Sequence, residues 1–134
     1  MPLLEKKRPK NDSSTSAKTI AFKNNKILLL QNPDNTWELP GGHIKIGEPL
    51  IVGAMREFFE ETGIQVYVID KIKSKTNRVI FKTNLINTNV KLSKEHKRFM
   101  FVPVNNLYKM NLSKKAYDDL SMFKQKKKKN EEEI

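Results

Sequence analysis

The 134-residue chain contains no cysteine, only two histidines, five glycines and one tryptophan. The missing thiols exclude disulfides, thiol nucleophiles and cysteine-ligated zinc. No apolar run is long enough to cross a bilayer, and the basic, polar N-terminus lacks the apolar centre of a signal peptide, so the expected location is the cytoplasm and no membrane partner is expected. A chain of this length builds one core of moderate size and leaves no room for a second catalytic domain.

What is abundant is positive charge. Lys and Arg number 26 against 15 Asp and Glu, a net charge of +11. Residues 17–123 carry +7 of it, and the two ends about +2 each, so the excess belongs to the body of the chain. It suits a polyanionic substrate through long-range attraction. A lysine-rich surface set by genomic base composition accounts for it equally well.

Along the chain, residues 1–16 are polar and charged and are expected to be disordered. Thr19 to Phe22 and Lys26 to Gln31 read as strands joined at Asn24-Asn25. Ile64 to Ile72, Arg78 to Asn87 and Arg98 to Val104 read as further strands, and Leu112 to Phe123 as a helix capped by Asn111 or Ser113. Residues 124–134 form a charged tail, a solvated end or a weak anion-binding arm. The domain expected between these ends, residues 17–123, is an α/β sandwich.

The chemistry is concentrated between Gly42 and Ile64. Glu48-Pro49 suits a helix start and Gly63 its C-terminal cap. At about 100° per residue, Ile51, Val52, Met55, Phe58, Phe59 and Thr62 share one arc, predicted to pack on a sheet. Glu57, Glu60 and Glu61 share the opposite side with the small Gly53 and Ala54 one turn back, predicted to face an open space. Like charges three or four residues apart destabilise a helix by about 0.2 to 0.5 kcal/mol per pair. Arg56 offsets part of this and a divalent cation would offset more. Oxygen-only donors favour Mg2+ or Mn2+ over zinc. A simple solvated acidic face, with Arg56 in a surface ion pair to Glu60, reads these residues as well.

The full spacing, Gly42, Glu48, Arg56-Glu57, Glu60-Glu61, Gly63 and an apolar residue, resembles the Nudix box, the signature of Nudix (MutT-like) hydrolases. Phe58 stands where the family more often has Leu, Ile or Val. Trp37-Glu38-Leu39-Pro40-Gly41-Gly42 ahead of the box is similar to the family's approach to it, as is Ser93-Lys94-Glu95-His96 before the apolar run Phe99 to Val102 and Pro103.

The resemblance implies an α/β/α sandwich with a mixed central sheet, and metal-dependent hydrolysis of a pyrophosphate bond in a nucleoside diphosphate linked to another group. It implies that Glu57 and Glu61 are the principal metal ligands, that Glu60 is a further ligand or supports the ligands from behind, and that the Gly41 carbonyl can complete the sphere. Arg56 would orient Glu57, and Glu48 would brace the loop or cap the helix. The general base is Glu95, in a later loop, or a box glutamate. His96 would contact phosphate or orient that loop, and Trp37 and His43 are candidates to meet substrate. Phe81 and Phe99 could stack on a base as Trp37 could, or pack in the core.

Residues 79–82 lack the proline and tyrosine expected of the ADP-ribose and dinucleoside-polyphosphate branches. That leaves a nucleoside triphosphate, oxidised ones included, as the expected substrate, with an RNA 5′ end as the alternative and a catalytically silent nucleotide-binding module as the third reading. Homodimers are common among such domains.

Overall fold

The computed structural model describes residues 15–67, 70–75 and 77–133, with side chains omitted for 73–75 and 124–133. Seven strands form one mixed sheet. They are β1 (Ser16–Lys23), β2 (Lys26–Gln31), β3 (Trp37–Glu38), β4 (Gly41–His43), β5 (Asp70–Lys75), β6 (Arg78–Asn84) and β7 (Arg98–Pro103). Helix α1 (Leu50–Thr62) follows β4. A 3-10 helix (Val104–Lys109) and α2 (Lys114–Glu133) close the chain.

The sheet runs β3-β2-β1-β6-β5, with β4 added on β1 and β7 on β2. Among the described strands only β1 and β6 pair with each other in parallel, from Ser16 opposite Arg78 to Phe22 opposite Asn84. β1 pairs with β2 only at Phe22 and Lys23, then leaves it and takes up β4 at Ser16 to Lys18. The divergence makes room for the Leu39-Pro40-Gly41-Gly42 turn, which therefore lies inside the sheet plane.

Alternation along β2 shows why the sheet needs cover on both faces. Ile27 and Leu29 join Ile20, Ile80, Val102, Leu120 and Met122 in a core under α2, while Leu28 and Leu30 join Ala21, Phe58 and Ile64 under α1. The α/β/α sandwich with a mixed sheet is therefore the observed architecture.

Several expectations need adjustment. β1 opens at Ser16, and residues 1–14 of the expected N-terminal segment lie outside those described. Ile64 and Val66 are buried without belonging to a strand, which begins at Asp70. Gly63 turns the chain off the helix in the left-handed region (φ 73°), its N–H bonded to Phe59 O, so the chain enters the core before it can pair. Ser113 caps α2 through its Oγ, 3.1 Å from Ala116 N, and the α2 backbone continues through the lysine run to Glu133.

Candidate active site

Helix α1 buries only part of its predicted apolar arc. Gly53, Ala54, Phe58, Glu61 and Thr62 are its buried residues, while Ile51, Val52 and Phe59 are 43 to 49% exposed. The small residues decide this. A Cβ on Gly53 would lie 2.4 Å from Ile44 Cδ1, and Ala54 packs with Ala17 and Ile44. Close approach along the Gly53-Ala54 stripe rotates the acidic side toward β1 and β4 and leaves Ile51, Val52 and Phe59 outside, while Met55, Phe58 and Thr62 of the same arc turn toward the sheet as predicted. Glu57 and Glu61 consequently face not an open space but the glycine strand β4, while Glu60 stays exposed as expected. A Cβ on Gly42 would meet Glu57 Oε1 at 2.1 Å, so glycine is what lets the two come together.

Pro49 sits one residue before α1, at the N-cap position, and no acidic residue occupies the first turn. Glu48 is therefore a brace rather than a cap. Its Oε2 accepts from Arg56 Nε at 2.8 Å and its Oε1 from Arg56 Nη2 at 3.0 Å and from Lys45 N–H at 3.0 Å. Arg56 Nη1 donates to Glu57 Oε2 at 2.7 Å and Glu60 Oε2 at 3.0 Å, and Nη2 also to His43 O at 3.0 Å. The guanidinium thereby spends its whole donor fork on three carboxylates and a carbonyl. Its bonds to Glu48 foremost push Arg56 further above its usual range, and hold the Glu48 carboxyl below its own.

The remaining carboxylates are less well served. Burial lifts Glu57 above the usual carboxylate range despite Arg56, with Glu60 and Glu95 adding repulsion. Burial lifts Glu61 to about 7, opposed by its bond from Gly41 N–H at 2.8 Å and by the Lys18 charge. Two neighbouring acids that burial makes costly to ionise call for more positive charge than one arginine provides. Hard oxygen donors in that condition fit Mg2+ or Mn2+.

Among the described residues, however, no three His, Cys, Asp or Glu side chains are gathered as a metal nest. The reason is visible in the bonds. Arg56 draws Glu57 and Glu60 to itself, and Gly41 N–H draws Glu61 to β4.

The other candidate residues separate clearly. Glu95 is exposed, and its charge reaches Glu57. Gly41 is held in a positive-φ conformation (143°) that closes the turn, and its carbonyl accepts from Lys18 Nζ at 3.3 Å. His43 is exposed, with its ring on Ser16 Oγ and its carbonyl on Arg56. Trp37 is a correction. It is 5% exposed in the core with Arg98 over its ring at 5.4 Å, so the face a base would stack on is taken. Phe81 is buried as well, and Phe99 alone of the three aromatics stays substantially exposed.

Two residues near the site were not singled out as candidates from the sequence. Lys18 is buried with its ammonium on Leu39 O and Gly41 O, and Glu38 lies 3.7 Å from it and 2.8 Å from His96 Nε2. A charged residue between Ala17 and the apolar run of β1 was the available signal for Lys18. Nothing in the local pattern marked Glu38.

A model of the NUDIX domain matches residues 14–124. An ADP-ribose pyrophosphatase of Methanocaldococcus jannaschii is 30% identical over 68% of this chain and 62% of its own length. A MutT-like protein of Streptomyces ambofaciens is 39% identical over 45% of this chain and 40% of its own. The chain thus spans less than two thirds of the length of these curated relatives. Among solved structures, the MutT protein from Methanosarcina mazei Go1 superposes with a TM-score of 0.72 at 26% identity, covering 87% of this chain and 94% of that one. With the box residues assembled around Arg56 and the family model covering most of the sequence, the chain belongs to the NUDIX domain family.

Proposed function

We propose that this chain hydrolyses a pyrophosphate bond in a nucleoside diphosphate linked to another group, a nucleoside triphosphate or deoxynucleoside triphosphate first, with Mg2+ or Mn2+ as cofactor. The observation that carries the reading is the pair of burial-raised carboxylates, Glu57 and Glu61, set against Gly41-Gly42 with the Arg56 donors already spent. In this reading Glu57 and Glu61 hold the cation, Glu60 supports it from the exposed side of α1, and the Gly41 carbonyl is a further donor. Such an ion, when bound, neutralises phosphate charge and lowers the pKa of a water. Arg56 fixes the Glu57 carboxylate, and the glycine strand admits the phosphate chain close to the backbone. Glu95 accepts the proton of the attacking water.

The names of two relatives support the bond class. Besides the ADP-ribose pyrophosphatase, a probable DHNTP pyrophosphohydrolase of Lactococcus lactis is 26% identical over 84% of this chain and 63% of its own. A second reading, action on RNA 5′ ends, draws on the positive charge of residues 17–123 and on an m7GpppN-mRNA hydrolase of Xenopus laevis, 39% identical over 32% of this chain and 17% of its own.

A hydrolysis screen with Mg2+ and with Mn2+ tests both. Its substrates are nucleoside triphosphates, nucleotide sugars, ADP-ribose, dinucleotides and 5′-triphosphorylated RNA. Release of phosphate or pyrophosphate that disappears in Glu57→Gln is the expected result, and the preferred substrate separates the two readings. Metal binding without turnover of any substrate would leave only a silent nucleotide-binding module.

A further inference from the structure

Ahead of β7 the chain runs Ser93-Lys94-Glu95-His96-Lys97-Arg98, a charged stretch that solvation alone would leave loose. It is held at three points. Ser93 N–H donates to Glu61 O at 3.1 Å, near the end of α1, and Lys97 N–H donates to Gln31 O at 2.8 Å, at the end of β2. Between them the His96 side chain turns inward, only 2% exposed, and its Nε2 lies 2.8 Å from Glu38 Oε2. His96 Nδ1 is buried with no hydrogen-bond partner among the described residues. Because a carboxylate oxygen accepts, the bond is one that Nε2–H donates to Glu38.

A buried imidazole with one nitrogen unserved is a poor choice for stability alone, because the orphaned nitrogen gives up its hydration for no bond in return. Its one bond goes to a carboxylate that is itself fixed. Glu38 Oε1 is 3.7 Å from Lys18 Nζ, which is anchored on Leu39 O and Gly41 O in the turn leading to β4. A polar chain thus runs from β1 through Glu38 to the residue immediately after Glu95, the exposed loop carboxylate whose charge reaches Glu57.

We infer that Glu38 and His96 are positioning residues, their hydrogen bond setting where Glu95 stands relative to the acidic side of α1. The inference rests on the reading above, in which Glu95 accepts the proton of the attacking water. Ser93 and Lys97 fix the ends of the stretch, and the buried histidine fixes its middle. A misplacement of about 1 Å in such a group costs on the order of 100-fold in rate.

The test uses the full chain and the substrate that the screen identifies. His96→Ala is expected to lower kcat by about 10- to 100-fold with KM within about twofold. Glu38→Ala should do the same, while Glu38→Gln, which keeps an oxygen able to accept from Nε2, recovers most of the rate. The double variant His96→Ala/Glu95→Gln should be no slower than Glu95→Gln alone, a non-additivity that a merely structural role would not produce. Mn2+ affinity should stay unchanged, because Glu57 and Glu61 are untouched.

Wild-type kcat in a folded His96→Ala or Glu38→Ala, wild-type kcat in Glu95→Gln, or full multiplication of the two losses in the double variant would each overturn the inference. Should His96→Ala fail to fold, the Glu38→Ala and Glu38→Gln pair decides the question by the same criteria. An active wild type with indifferent variants overturns this inference alone, whereas an inactive wild type overturns it together with the reading of function.

Discussion

Two arginines meet carboxylates on opposite faces of the sheet. Arg78, on β6, donates through Nε and Nη2 to the two oxygens of Asp119 on α2, both at 2.7 Å, and the aspartate is fully buried. One guanidinium serves one carboxylate, fork to fork, and ties helix to sheet. Arg56 divides its donors among Glu48, Glu57 and Glu60, and Glu61 lies one residue further on, against Gly41. Formal charge is balanced in the first cluster and negative in the second. The balanced pair is a strut. The unbalanced cluster is short of positive charge at the place where the chain also lacks side chains, at Gly41, Gly42 and Gly53, and under the function proposed above that combination would serve a cation and a phosphate chain rather than stability.

If the two clusters differ in this way, their variants should separate stability from activity. The largest effect falls on the strut. Asp119→Ala leaves a half-buried guanidinium unpaired and should cost about 3 kcal/mol of stability, read as a lower denaturation midpoint, with turnover per folded molecule retained. Next, Glu57→Gln should reduce hydrolysis by on the order of 100-fold or more while the denaturation midpoint holds or rises, since it removes a carboxylate that burial disfavours. Arg56→Gln should lower activity by about 10- to 100-fold through disorder of Glu57, with a smaller loss of stability than the strut variant.

The smallest effect is one of pH. The folded-state pKa of Glu61 lies above its unfolded value, at about 7. Its ionisation therefore costs stability as pH rises from about 4.5 through 7, and the cost is absent below that window. A cation that binds the ionised carboxylate offsets the cost only where the group is charged. Mn2+ should accordingly raise the melting temperature more at pH 8 than at pH 6, and the difference should shrink in Glu61→Gln. An equal shift at both pH values would contradict it.

The parts legible in the sequence were those fixed by local chemistry. The β2 run, the Asn24-Asn25 turn, the Gly63 cap and the Ser113 cap each follow from a few adjacent residues, and all stand in the structure. The spacing of the box gave the residues of the Arg56 cluster. The side of α1 that would be buried was legible only in part, since Met55, Phe58 and Thr62 turn toward the sheet as periodicity predicts. Periodicity weights bulky apolar residues, and Ile51, Val52 and Phe59 form the better apolar arc, but the closest packing runs along Gly53 and Ala54. Long-range partnerships were equally out of reach. Glu38 meets His96 across 58 positions, and Arg78 meets Asp119 across 41, so neither contact leaves a local pattern. Trp37 shows the same limit, because the covering Arg98 comes from a strand formed much later in the chain.

The claim that the acidic side of α1 is held short of positive charge for a divalent ion is tested most directly by calorimetric titration of Mn2+ into the wild type, Glu57→Gln and Glu61→Gln at pH 8. Saturable binding by the wild type, weakened about tenfold or more in each variant, is the predicted result. Binding of equal strength in all three would contradict it.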